Sequence, residues 1–168
     1  IGEYIDLGNN VVNTNETTDD WRILYVDETN VYAILADYLP KAQIPAGTNI
    51  SKQGYSVWST SDRNALLNYL SDTTKWSSLA NGISGAEVTG GPTKDLIEKS
   101  YKAKYNDDWD YRVAVTQDLY VPHTEKVIEE RMDTEGYWLA TYGSDLNVWN
   151  VDYNGNVDER YCSSGYCG

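Results

Sequence analysis

The segment from Gly136 to Gly168 constrains the fold more than any other part of this 168-residue chain. It reads GYWLATYGSDLNVWNVDYNGNVDERYCSSGYCG, in which a few apolar residues are separated by polar residues and tyrosines. Asn154-Gly155 lies between two runs of alternating polarity, a strong signal for a two-residue hairpin turn. Side chains alternate along a strand, so Trp149, Val151 and Tyr153 share one face and the even-numbered residues share the other. The pattern predicts a hairpin with one packed face and one displayed face.

The rest of the chain carries weaker but consistent signals for short strands and amphipathic helices. Leu66, Leu67 and Leu70 recur at helical spacing behind Ser61, a candidate N-cap. We predict strands within 4–12, 21–26, 31–39 and 136–141, a four-residue hairpin loop at 27–30, and helices over about 61–71, 74–80 and 93–105. Strands followed by helices and then strands indicate one α+β domain, residues 1–168, with antiparallel sheets.

The composition excludes several classes of partner. The net charge of −13 and the pI near 4.3 argue against nucleic acid and anionic membranes, because most of the surface would repel them. No apolar run is long enough to cross a bilayer. The chain has six Trp and no Phe, and we assign four of the Trp to the core: Trp21, Trp58, Trp76 and Trp138.

Two segments together resemble a bacterial and phage domain. WRILYVDETNVYAILADYL near the start matches its W-x-[VIL]-L opening strand, and GYWLATY…NVWNVDYNGNV near the end matches its closing Y-W-L-A-S, V-W and G-x-V pattern. The resemblance implies a C-type-lectin-like fold of the formylglycine-generating-enzyme-like branch, with antiparallel sheets and two to three helices. The family pattern continues with Val-Arg-Pro and a last strand beyond the position of Gly168.

The polar residues of the terminal run are similar to the variable regions of diversity-generating retroelement proteins. There, template adenines are randomised, and Asn codons then yield Asn, Asp, Tyr, Ser, Cys, Gly, Arg or Leu. The resemblance implies a variable ligand-binding region at 136–168. The implied contact residues are Ser144, Asp145, Leu146, Asn147, Asn150, Asp152, Tyr153, Asn154, Asn156, Asp158, Arg160, Tyr161, Ser163, Ser164 and Tyr166.

Two observations qualify this interpretation. Glu159 does not derive from such a codon, and an ordinary polar hairpin with Asx-rich turns would have a similar composition. If the region is variable, Cys162 and Cys167 are products of randomisation, and replacing both with Ser should barely change the melting temperature. If they instead form a structural bridge, its loss would lower that temperature by several degrees.

Catalytic and metal-binding patterns are weak. His123 is the single histidine, and no G-x-S-x-G nucleophile motif occurs. The formylglycine-generating branch uses paired cysteines, but both cysteines here lie in the polar terminal run, so we do not expect an enzyme. Asp107, Asp108 and Asp110 could bind calcium. Otherwise we expect no metal or cofactor.

We therefore expect a ligand-binding protein exposed outside the cell, on a bacterial surface or a phage virion. Its partner would be a protein or carbohydrate on a cell surface, with no insertion into the membrane. The expected aromatic anchors are Tyr153, Tyr161 and Tyr166, with Arg160 as the charged one. Two alternatives remain: a structural or adhesive module with a fixed partner, and an enzyme of the formylglycine-generating type.

Overall fold

The protein has an α+β fold built from two antiparallel sheets and three α-helices within the part of the chain that the structure describes. A computed structural model describes residues 1–8, 21–36, 60–106, 137–145, 147–151 and 157–160. The elements in chain order are β1 (Tyr4–Ile5), β2 (Trp21–Val26), β3 (Val31–Leu35), α1 (Thr60–Ser71), α2 (Thr73–Trp76), α3 (Lys94–Tyr105), β4 (Tyr137–Tyr142), β5 (Val148–Val151) and β6 (Val157–Arg160). The predicted fold class is confirmed.

The N-terminal sheet has the order β1-β2-β3. Val26 pairs with Val31, so the predicted four-residue hairpin loop is confirmed. Asp27 fixes this loop, because its Oδ1 accepts hydrogen bonds from the main-chain N–H groups of Thr29 and Asn30, both at 2.8 Å. These bonds favour the carboxylate and lower the pKa of Asp27 to about 2.

The helices follow the local signals closely. α1 begins at Thr60, so Ser61 lies inside the helix and the predicted serine N-cap is wrong. α2 continues into a 3₁₀ turn, Ser77–Ala80, which together cover the predicted 74–80 helix. The Thr93 side chain caps α3 by accepting a hydrogen bond from the Leu96 N–H. Asn106, in the left-handed conformation, ends that helix.

The C-terminal sheet has the order β4-β5-β6. Asn150 pairs with Asp158 and Val151 with Val157, which confirms that even-numbered residues of the two strands share a face. The predicted Asn154-Gly155 turn lies outside the described residues.

Both faces of the C-terminal sheet are covered. On one face, Leu139, Val151 and Val157 pack with Ile97 of α3 and Leu24 of β2. The other face carries Trp138 and Val148, which pack against the leucines of α1. The sheet is thus the middle layer, between α1 on one side and α3 with the N-terminal sheet on the other.

This layering corrects the predicted displayed face. Trp138 and Val151 are buried as expected, but Trp149 is half-buried. Trp21 and Trp76 are also half-buried rather than fully in the core, and Trp58 lies outside the described residues. The even-numbered face of β5 is covered, because α1 packs on it.

Candidate ligand-contact site

The structure describes six of the fifteen predicted contact residues, at least in their main chain. Ser144, Asp145 and Asp158 are exposed, Asn147 is half-buried and Asn150 is buried. Arg160 ends β6, but only its main chain is described. The remaining predicted positions lie outside the described residues: Leu146, Asp152, Tyr153, Asn154, Asn156, Tyr161, Ser163, Ser164 and Tyr166.

Asn150 was predicted to lie on a displayed face, and this prediction is wrong because the residue is buried. Only 9% of its surface is exposed, because it lies on the sheet face that α1 covers, next to Trp138 on β4. Asp158, its partner on β6, is exposed. The exposed positions on this face are thus Asp158 on β6 and Tyr142, the partner of Val148, on β4.

The exposed residues cluster at the turn between β4 and β5. We define the β4–β5 turn as Gly143, Ser144, Asp145 and Asn147. The Asn147 N–H donates to the Ser144 carbonyl at 2.7 Å, and the Gly143 N–H donates to the Asn147 carbonyl at 3.0 Å. Asp145 has a φ of 46°, in the left-handed region that Asp, Asn and Gly tolerate best.

Glu159 of β6 holds this turn from one side. Its Oε2 accepts hydrogen bonds from the Ser144 main-chain N–H, at 2.8 Å, and from the Ser144 hydroxyl. The Asn147 amide extends the network by donating to the same hydroxyl at 3.3 Å. The bond from the Ser144 hydroxyl is the main cause of a lowered pKa at Glu159, which stays ionised at neutral pH.

Arg63 of α1 holds the turn from the other side. Its Nη1 donates to the main-chain carbonyl of Asp145. The same guanidinium lies 5.1 Å from the ring centroid of Tyr142, a cation–π contact. Tyr142 is 58% exposed at the end of β4. An exposed aromatic and an arginine thus lie directly beside the predicted contact residues.

Lys94, at the start of α3, supports the opposite face of the sheet. Its ammonium forms a 2.6 Å ion pair with Glu98 and lies 4.7 Å from the centre of the Trp149 ring. Its main-chain N–H donates to the Thr141 hydroxyl at 2.9 Å. These contacts fix α3 against β4 and β5, so the sheet that carries the turn is held on both faces.

Metal binding would depend on His, Cys, Asp and Glu side chains that lie close together among the described residues. No group of three or more His, Cys, Asp or Glu among them is placed to hold a metal ion. Asp107, Asp108 and Asp110, the predicted calcium candidates, and His123 lie outside the described residues. An open groove of about 460 Å³ is lined by Thr73, Thr74, Ser77 and Glu87 among others, and by no residue of the β4–β5 turn. Where the structure is described, no helix is long and apolar enough to cross a membrane.

Comparison with known proteins adds no information on the function of this chain. No family model, curated protein or solved structure matches the chain.

Sequence reasoning missed three residues that shape the site: Arg63, Tyr142 and Glu159. Glu159 had a signal, because it is the residue that the variable composition does not explain. Tyr142 lies just before the candidate run, and tyrosine is one of the residue types that randomised Asn codons yield. Arg63 had no local signal, since only tertiary packing brings α1 to the turn.

Proposed function

We propose that this protein binds a macromolecule through the β4–β5 turn and β6, as a receptor-recognition protein on a cell or virion surface. The observation that carries the proposal is the alternation of wholly buried and exposed positions. Val157 is 0% exposed, and Asp158 beside it is exposed. Val148 is likewise 0% exposed, only three residues after the exposed Asp145. A rigid framework that presents short polar side chains is typical of binding surfaces.

The shape and charge of the site favour a protein or carbohydrate partner. Ser144 and Asp145 are exposed in a turn at the end of two strands, whereas small-molecule sites are concave and enclose most of the ligand. Asp145 and Asp158 add negative charge to a chain of net charge −13, so polyanionic partners would be repelled. Tyr142 and Arg63 are the residue types that contribute most binding energy in protein interfaces.

We further propose that the exposed positions are diversified, as the composition of the terminal run suggests. In this proposal Asn150 belongs to the framework, together with Glu159. The test is the DNA beside the gene and the gene's 3′ end in related isolates. A neighbouring reverse transcriptase and a near-copy of the 3′ end that differs at adenines are expected. Identical 3′ ends in many isolates, with no such copy, would overturn diversification.

A fixed structural or adhesive module is the second candidate. One observation favours it. The Ser144 hydroxyl donates a hydrogen bond to Glu159, so this particular side chain has a role within the fold. Invariant Ser144 and Asn147 among isolates would favour this candidate over the diversified one.

A further inference from the structure

Both supports of the β4–β5 turn reach main-chain atoms. Glu159 accepts from the Ser144 N–H, and Arg63 donates to the Asp145 carbonyl. Every residue except proline has the N–H, and every residue has the carbonyl. The two supporting side chains come from different elements, α1 and β6, and the turn therefore depends little on which side chains it carries.

Two further contacts within the turn are also made by the main chain. The Asn147 N–H donates to the Ser144 carbonyl, and the Gly143 N–H donates to the Asn147 carbonyl. Gly143 itself leaves little room for change, because a Cβ there would lie 3.0 Å from the Asn147 carbonyl oxygen. The turn thus combines a fixed glycine with positions whose side chains are not needed for its main-chain bonds.

From this geometry we infer that Arg63 and Glu159 are positioning residues, which hold the ligand-contact turn by its main chain so that residues 144 and 147 can vary without moving it. Position 145 is the restricted member, confined to residues that adopt the left-handed conformation. Asp, Asn and Gly meet this requirement, and all three belong to the residue types that randomised Asn codons yield. The assignment of these roles rests on the proposed binding function, while the main-chain anchoring can be tested without any ligand.

The first test is amide hydrogen exchange of residues 144 and 147, measured by NMR on the whole chain. Glu159→Ala should accelerate exchange at residue 144 at least ten-fold, and Glu159→Gln should restore much of the protection because its carbonyl can accept. Ser144→Ala should leave the amide of residue 144 protected to within about three-fold. Glu87→Ala, which removes an exposed carboxylate elsewhere, is the matched control and should change nothing.

Arg63→Met is tested in the same way, with Lys99→Met on α3 as its control. Arg63→Met should shift the resonances of residues 144 and 145, while the amides of Leu139 and Val157 stay protected from exchange. If Ser144→Ala exposes the amide as much as Glu159→Ala does, the turn depends on its side chain and the inference is wrong. If Glu159→Ala or Arg63→Met loses amide protection throughout the sheet, the exchange rate measured for Ser144→Ala alone decides whether the turn is held by its main chain or by its side chain.

The second test is a displayed library randomised at 144, 145 and 147, sorted first for folded protein. Folded clones should contain Asp, Asn or Gly at position 145 at least five times as often as Val or Ile. Position 144 should show no such bias. Equal use of Val and Ile at 145 would overturn the restriction. The folded pool is then selected against lysozyme, serum albumin and mannan as probes. A folded, correctly biased pool without binders would contradict the proposed binding function and leave the anchoring intact.

Discussion

Trp138 and Asn150 face each other across β4 and β5, and each buries a polar atom without a hydrogen-bond partner among the described residues. The atoms are the indole Nε1, a donor, and the amide Oδ1, an acceptor. Both residues are more than nine-tenths buried. An unsatisfied buried polar group costs about 1–3 kcal/mol, so this pair is a weak point in the packing beneath α1.

Asn150→Val should therefore leave the free energy of unfolding within about 1 kcal/mol of the native value, or raise it, because the unpaired oxygen is removed. Asn150→Asp should cost about 3 kcal/mol or more at pH 7, since it buries an unpaired charge. Urea denaturation of both variants measures the difference. A fully stable Asn150→Asp variant would show that the position is open to exchange after all.

The contrast between framework and display can be measured on β4 and β6. Leu139→Ala should lower the unfolding free energy by about 2–5 kcal/mol, because Leu139 is 0% exposed and a cavity remains. Asp158→Ala, at an exposed position, should change it by no more than about 0.5 kcal/mol. Similar losses in the two variants would refute the division between scaffold and contact surface.

Gly90 allows the segment that precedes α3 to lie close to the end of α1. It has a φ of 94°, and a Cβ there would lie 2.6 Å from the Leu70 carbonyl oxygen. Gly90→Ala should destabilise the fold by about 2 kcal/mol or more, through backbone strain and the clash together. Gly82 is the matched control, since its φ is 87° and a Cβ there meets nothing within 4 Å. Gly82→Ala should cost only about 1 kcal/mol, and equal melting temperatures for the two variants would exclude the clash.

Asp27 predicts an acid-dependent loss of stability. Its pKa is lowered from 3.8 to about 2 in the folded chain, mainly by the bond from the Thr29 main-chain N–H. A lowered folded pKa stabilises the fold at pH values above 3.8, and this stabilisation disappears as the pH falls from there through about 2. Asp27→Ala should show a smaller stability loss over that window than the native chain. Glu28→Ala, at the next and exposed position, keeps the Asp27 bonds and is the matched control.

The sequence predicted the parts of this fold that depend on neighbouring residues. The hairpin at 27–30, the three helices and the shared face of Asn150 and Asp158 follow from spacing and polarity over a few residues. The burial of Asn150 was missed because it depends on α1, which is distant in sequence. The signal was present nonetheless, since Val148 is apolar and lies on the same face as Asn150.

The exposure of three residues in the candidate site was predictable, and the bonding that holds the turn was not. Ser144, Asp145 and Asp158 were predicted and are exposed. The supports from Arg63 and Glu159 could not be predicted, because hydrogen bonds to main-chain atoms leave no pattern in the sequence of the turn.

The position of β4, β5 and β6 as the middle layer also determines when the protein can become stable. These strands are the last described elements to be synthesised, yet α1 and α3 bury their apolar faces against them. Until residue 157 has left the ribosome, Leu66 and Leu67 lack the sheet that they pack against, and Ile97 has only part of its packing, with Leu24 of β2. Stable folding therefore has to wait until β4, β5 and β6 have been made, and the nascent protein is exposed to aggregation until then.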